Sequence, residues 1–167
     1  MTNDIRDALS GIRRYRPAPW DQIPDLGLYM DQVITFITRM DEPLYGEDSH
    51  GYLSPSMINN YVKSKLIPRP TGKKYSRDQI ALLTMIVALK QVCSMEDIRR
   101  MLSLKEGETV ESLYGSFSER FSRAIRSMCG EAESADTPES ALDFAILASA
   151  YSAGCAASLK NEAAAVQ

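Results

Sequence analysis

Six positively charged side chains fall within 24 residues, between Ser54 and Arg77, with no Asp or Glu among them. They are Lys63, Lys65, Arg69, Lys73, Lys74 and Arg77. Taking those six from the chain's 19 basic residues leaves 13 against 22 acidic ones, so the rest of the protein has a net charge of −9. A compact positive segment in an acidic protein is the expected footprint of contact with a polyanion, because each cation neutralises a phosphate and releases condensed counterions. A solvated basic face is the plainer alternative. Just ahead of the cations stand Asn59 and Asn60. An asparagine amide can bond bidentately to the N6 and N7 edge of adenine in the major groove of double-stranded DNA. Ser56 falls in the first turn of a predicted helix, where a hydroxyl can donate to phosphate. Tyr75 offers either a hydroxyl for the nucleic-acid backbone or a ring for the core.

Other chemistry lacks its residues. Cys93, Cys129 and Cys155 are odd in number and far apart, which fits neither a disulfide framework nor a zinc spacing, and each reads as a small core hydrophobe. The one histidine, His50, stands in a Gly/Ser/Asp-rich stretch. No HExxH, GxSxG or phosphate-binding glycine loop occurs. The carboxylate pairs Asp41–Glu42 and Glu47–Asp48 lie in sequence that reads as polar linker, with no reason for raised acidity constants. An enzyme is therefore not expected, nor is a cofactor or a metal. No run approaches the roughly 18 apolar residues of a membrane span, and the polar start, MTNDIRDALSGIRRYR, is not a signal peptide. The expected location is the cytoplasm.

The elements that must position the basic run are legible from periodicity and caps. Residues 1–24 read as an N-terminal arm, broken by Pro17, Pro19 and Pro24 and pinned by Trp20 and Ile23, with Arg13, Arg14 and Arg16 as a basic cluster. Leu28, Val33, Ile34, Ile37 and Met40 give a helical stripe that Pro43 should stop. Ser54 is a natural N-cap, with Pro55 at the first helical position. The helix they open turns Ile58, Tyr61, Val62 and Leu66 inward and Ser56, Asn59, Asn60 and Lys63 outward, and Pro68 should end it. Leu66–Ile67 and Lys74–Tyr75 flank a Pro/Gly turn and predict a small basic hairpin. Ser76 and Gln79 form a capping-box pattern before an apolar helix reaching about Val92, and Ser94 caps a short helix with Ile98, Met101 and Leu102 inward. Beyond Leu104 come a helix over Leu113–Met128, an acidic stretch at Gly130–Asp136, and a small-residue helix over Ser140–Leu159 with Ala148, Ser152 and Ala156 four apart.

Three segments, SPSMINNYVKSKLIP, KKYSRDQIALLTMIVALKQ and CSMEDIRRML, resemble in order and spacing the DNA-binding domain of the MerR family. LYMDQVITFITRM ahead of them makes the chain similar, over about Pro19–Leu104, to an uncharacterised bacterial family of MerR-like proteins catalogued only as a domain of unknown function. The resemblance implies a mainly α fold: a winged helix-turn-helix with a small two-stranded wing over 25–104, followed by a helical extension over 105–167 for dimerisation or effector binding. It also implies a transcriptional regulator that binds double-stranded DNA as a homodimer. Ser56, Asn59, Asn60, Lys63, Lys65, Arg69, Lys73, Lys74, Tyr75 and Arg77 would be its DNA-binding residues. Where MerR proteins carry Arg-Tyr-Tyr-Glu this chain has Asn59, Asn60, Tyr61 and Val62, and no sustained heptad follows. Two further readings stand beside this one. One is a winged-helix module that binds protein rather than DNA. The other is a small-molecule effector held by Phe117, Phe121, Met128 and Phe144, residues that equally suit an ordinary core.

Overall fold

A computed structural model describes residue 12 and residues 15–45 and 52–131, without the side chains of 45 and 127–131. Arg13, Arg14, His50, Cys155, Phe144, the acidic stretch from residue 132 onward and the expected helix over Ser140–Leu159 lie outside the described residues, as do the side chains of Met128 and Cys129. The described chain is mainly helical. Five α-helices, α1 (Met30–Tyr45), α2 (Pro55–Lys63), α3 (Arg77–Leu89), α4 (Met95–Met101) and α5 (Val110–Glu131), accompany a two-stranded antiparallel sheet of β1 (Leu28–Tyr29) and β2 (Lys74–Tyr75). No helix among these residues is long and apolar enough to cross a membrane.

Local signals set most helix starts. Ser54 Oγ accepts from Met57 N at 3.3 Å, with Pro55 at the first position of α2. The capping box of α3 is complete: Gln79 N donates to Ser76 Oγ at 3.4 Å, and Ser76 N donates to Gln79 Oε1 at 2.8 Å. Ser94 caps α4 through Asp97 N. Every residue of α3 from Gln79 to Val87 is buried, so this helix is the hub of the core. Around it pack Val33 and Ile37 of α1, Ile58 and Tyr61 of α2, Ile98 of α4, Val110 and Tyr114 of α5, and Ala18 and Ile23 from the N-terminal segment. Trp20, Tyr114, Phe117, Phe121 and Tyr15 form a chain of ring contacts with centroids 5.4–6.5 Å apart. Phe117 and Phe121 thus fill space with other rings, and Tyr114 Oη donates to Ala18 O at 2.8 Å.

Several boundaries differ from the sequence reading: Leu28 lies in β1 and not in the first helix, α3 ends at Leu89 short of Val92, and α5 extends beyond Leu113–Met128 at both ends. Helix α1 runs through Pro43 to Tyr45; the proline sits in the last turn, where its missing N–H forfeits a single bond. Helix α2 stops at Lys63, well before Pro68. Lys65 N bonds Val62 O at 3.1 Å and Leu66 N bonds Tyr61 O at 2.9 Å, while Lys65 adopts φ 59°. That is a Schellman termination with lysine in the left-handed position usually held by glycine. Finally, Leu66–Ile67 does not form a strand with Lys74–Tyr75. Both residues are buried, and β2 pairs instead with β1, Leu28 opposite Tyr75 and Tyr29 opposite Lys74. The hairpin is reduced to one bridge, Thr71 to Lys74, around Gly72 (φ 56°) and Lys73 (φ 64°). Positive φ at both central residues is the signature of a type I′ turn.

Candidate nucleic-acid interface

Helix α2 buries Ile58 and Tyr61 and leaves Ser56, Asn59, Asn60 and Lys63 exposed. Its C-terminal end is held by α4, whose Arg99 guanidinium donates to Ser64 O at 2.7 Å. The turn that follows is held by α3, where the buried Gln79 side chain donates from Nε2 to Pro68 O at 2.9 Å. The C-terminal end of α2 is therefore tied to α4, and the segment leading into the hairpin is tied to the hub helix α3.

Two shallow clefts lie on this surface and meet at Val62. The first, about 290 Å³, is lined by Val62, Lys63, Lys65, Ile67, Pro68 and Arg69. The second, about 450 Å³, brings Asn59 of α2 together with Pro70 and Lys73 of the turn and with Tyr29, Met30 and Asp31 where β1 enters α1. Lys63, Lys65, Arg69, Lys73 and Lys74 are all exposed. Among the described residues none of the five is in a salt bridge. Five cations without carboxylate partners, arranged along a helix face and a turn, repel one another and attract a polyanion. Ser56 Oγ lies 2.9 Å from Ser54 Oγ and remains exposed.

Two sequence candidates leave the set. Tyr75 is only 2% exposed and packs in the core at the wall of the second cleft, because strand alternation turns it inward while Lys74 faces out. Arg77 is committed to the N-terminal segment: its Nε donates to Ile23 O at 2.8 Å, its guanidinium pairs with Asp25 at 3.5 Å and it lies 5.7 Å from the Trp20 ring centroid. One residue joins the site that the charge pattern did not single out. Tyr29 is 49% exposed, and Lys74 Nζ sits 5.3 Å from its ring centroid.

Tyr61, on the inward face of α2, is 1% exposed, and its hydroxyl has no hydrogen-bond partner among the described residues. Burial also pushes its pKa up. An unsatisfied buried hydroxyl costs roughly 1–3 kcal/mol. Tyr61→Phe should accordingly stabilise the protein, by about 1 kcal/mol in urea unfolding, without altering the exposed face. A loss of stability would mean that the hydroxyl has a partner.

A family model described as a domain of unknown function (DUF1836) matches residues 18–117. The match spans β1, β2, α1 to α4 and the start of α5, and so takes in both clefts. No curated protein and no solved structure matches the chain.

Proposed function

We propose, for a chain that belongs to the family described as a domain of unknown function (DUF1836), that it is a sequence-specific double-stranded DNA-binding regulator of the MerR-like winged helix-turn-helix type. The observation that carries this reading is the surface at α2 and the turn, where five exposed cations lack carboxylate partners and two asparagines stand on the exposed helix face. Lys63, Lys65, Arg69, Lys73 and Lys74 neutralise phosphates and set the register. Asn59 and Asn60 read base edges, with α2 in the major groove. The turn at Gly72–Lys73 takes the place of a wing. One copy of so small a surface binds with little specificity. Two half-sites about 34 Å apart supply the rest, so the working form is a homodimer on a pseudo-palindrome, joined through the region after Leu104.

The test is fluorescence anisotropy against a labelled random-sequence duplex pool at several salt concentrations, with bound DNA sequenced. A steep salt dependence and enrichment of a two-fold-related motif are expected. Asn60→Ala should relax the preference at one base pair by roughly 1–3 kcal/mol and leave the salt slope alone. Salt-independent or undetectable binding would sink the reading, and would turn the search toward a protein partner for the same basic surface.

A further inference from the structure

The second cleft contains one large aromatic side chain that is half exposed. Tyr29 stands at the end of β1, directly across the sheet from Lys74. Its backbone is fixed, since Tyr29 N donates to Gln32 Oε1 at 3.0 Å. The approach of β1 to Lys74 is close enough that a Cβ on Gly27 would lie 2.9 Å from Lys74 Cβ, so glycine is needed there. The Tyr29 ring is thus set under the Lys74 ammonium by backbone geometry on both sides. A cation over a ring face keeps its full charge and its donors while losing freedom to wander. Among the described residues nothing hydrogen-bonds the Tyr29 hydroxyl, and the same cleft carries Asn59 and Lys73.

We infer that Tyr29 is a contact and positioning residue for nucleic acid: its ring places the Lys74 ammonium on a backbone phosphate, and its hydroxyl donates to that same phosphate. This rests on the reading that the α2 surface binds duplex DNA. It extends the interface onto β1, so that the strand preceding the first helix, together with the turn, grips one phosphate strand beside α2. Tyr29 and Lys74 form one unit, so removing either disables much of what the other does.

The experiment is anisotropy with the duplex recovered from the pool, at two salt concentrations, for the wild type, Tyr29→Phe, Tyr29→Ala, Lys74→Ala, Lys63→Ala and the Tyr29→Ala/Lys74→Ala double variant. Tyr29→Ala and Lys74→Ala are each expected to weaken binding about tenfold, and each to make the plot of log affinity against log salt shallower by about one unit. The double variant should be within about threefold of either single one, because coupled residues do not add. Tyr29→Phe, which keeps the ring, should lose about threefold and keep the salt slope. Melting temperatures should stay unchanged, which separates this role from a structural one. If Tyr29→Ala binds like the wild type, or its loss adds fully to that of Lys74→Ala, the inference is overturned even though Lys63→Ala still weakens binding. If the wild type shows no salt-dependent affinity, both this inference and the DNA-binding reading fall.

Discussion

Replacing Lys65 and Lys73 by glycine is expected to make the protein more stable and a poorer DNA binder at the same time. Both lysines have left-handed backbone, φ 59° and φ 64°. Lys65 ends α2 at the position where glycine is the common choice, and Lys73 follows Gly72 in a turn that calls for positive φ twice. A side chain there crowds its own carbonyl and costs roughly 1–2 kcal/mol per residue. Glycine relieves the crowding but gives the unfolded chain more freedom, which returns about 0.4–1 kcal/mol. The double variant should therefore gain about 1–2 kcal/mol, with the melting temperature rising by several degrees. Binding should move the other way. Two lost phosphate contacts flatten the salt slope by about 1.8 units and weaken low-salt affinity by on the order of a hundredfold. Lys65→Ala and Lys73→Ala lose the same charges but keep the strain, so they should lose affinity without gaining stability. If the glycine variants prove less stable, or bind as well as the wild type, then these positions are not strained for the sake of their charge. Strained residues with free, exposed cationic heads, found twice on one surface, fit a site that trades stability for binding.

How much of this was legible in the chain depends on how local each cause is. Ser54 with Pro55, Ser76 with Gln79, and Ser94 announce their helices because a cap is made by residues three apart. The outward face of α2 followed from 3.6-residue periodicity alone. The pairing of Leu28–Tyr29 with Lys74–Tyr75 did not, because two-residue strands carry almost no pattern and the partners are 45 and 47 residues apart. Leu66–Ile67 looked as good a partner on paper but is needed inside the core. Arg77 counted as a free cation in the sequence; what binds it are Ile23 O, Asp25 and Trp20, in a segment more than 50 residues away. Lys65 disguised the end of α2, since the usual signal is glycine and the first visible breaker was Pro68. Tyr29 adjoins the stripe of α1 in the sequence and reads as part of it, which hides its place in β1. A glycine two residues before a lone tyrosine at a strand end was the available clue. Asp41 stands in sequence that reads as polar linker, whereas α1 carries it into the core.

Asp41 should make the protein lose stability as pH rises from 4 to 8. It lies on α1, 3% exposed, and accepts a hydrogen bond from Tyr15 Oη at 2.5 Å. Burial pushes its carboxyl up from 3.8 to about 6, and hydrogen bonds from Tyr15 and Tyr52 only partly offset this by favouring the anion. Tyr114 is also raised, first by burial and then by the charge on Asp41. The folded state thus prefers the neutral carboxyl. Below the unfolded value of 3.8 that preference is fully realised, and as pH climbs through 6 it is lost, because the folded protein must then hold a buried charge. At about 1.4 kcal/mol per unit the shift corresponds to about 3 kcal/mol between the two ends. Asp41→Asn keeps an acceptor for Tyr15 but cannot ionise. Urea unfolding of both proteins at intervals across this range should give a stability difference, wild type minus variant, that falls steadily toward high pH; other titrating groups cancel in the difference. A constant difference, or one that grows with pH, would mean that Asp41 is charged at ordinary cost. The cost is borne where Tyr15 of the N-terminal segment meets α1, on residues separate from those lining the two clefts at α2. The same substitution should therefore leave DNA affinity at fixed salt unchanged, which separates the arm's attachment from the interface itself.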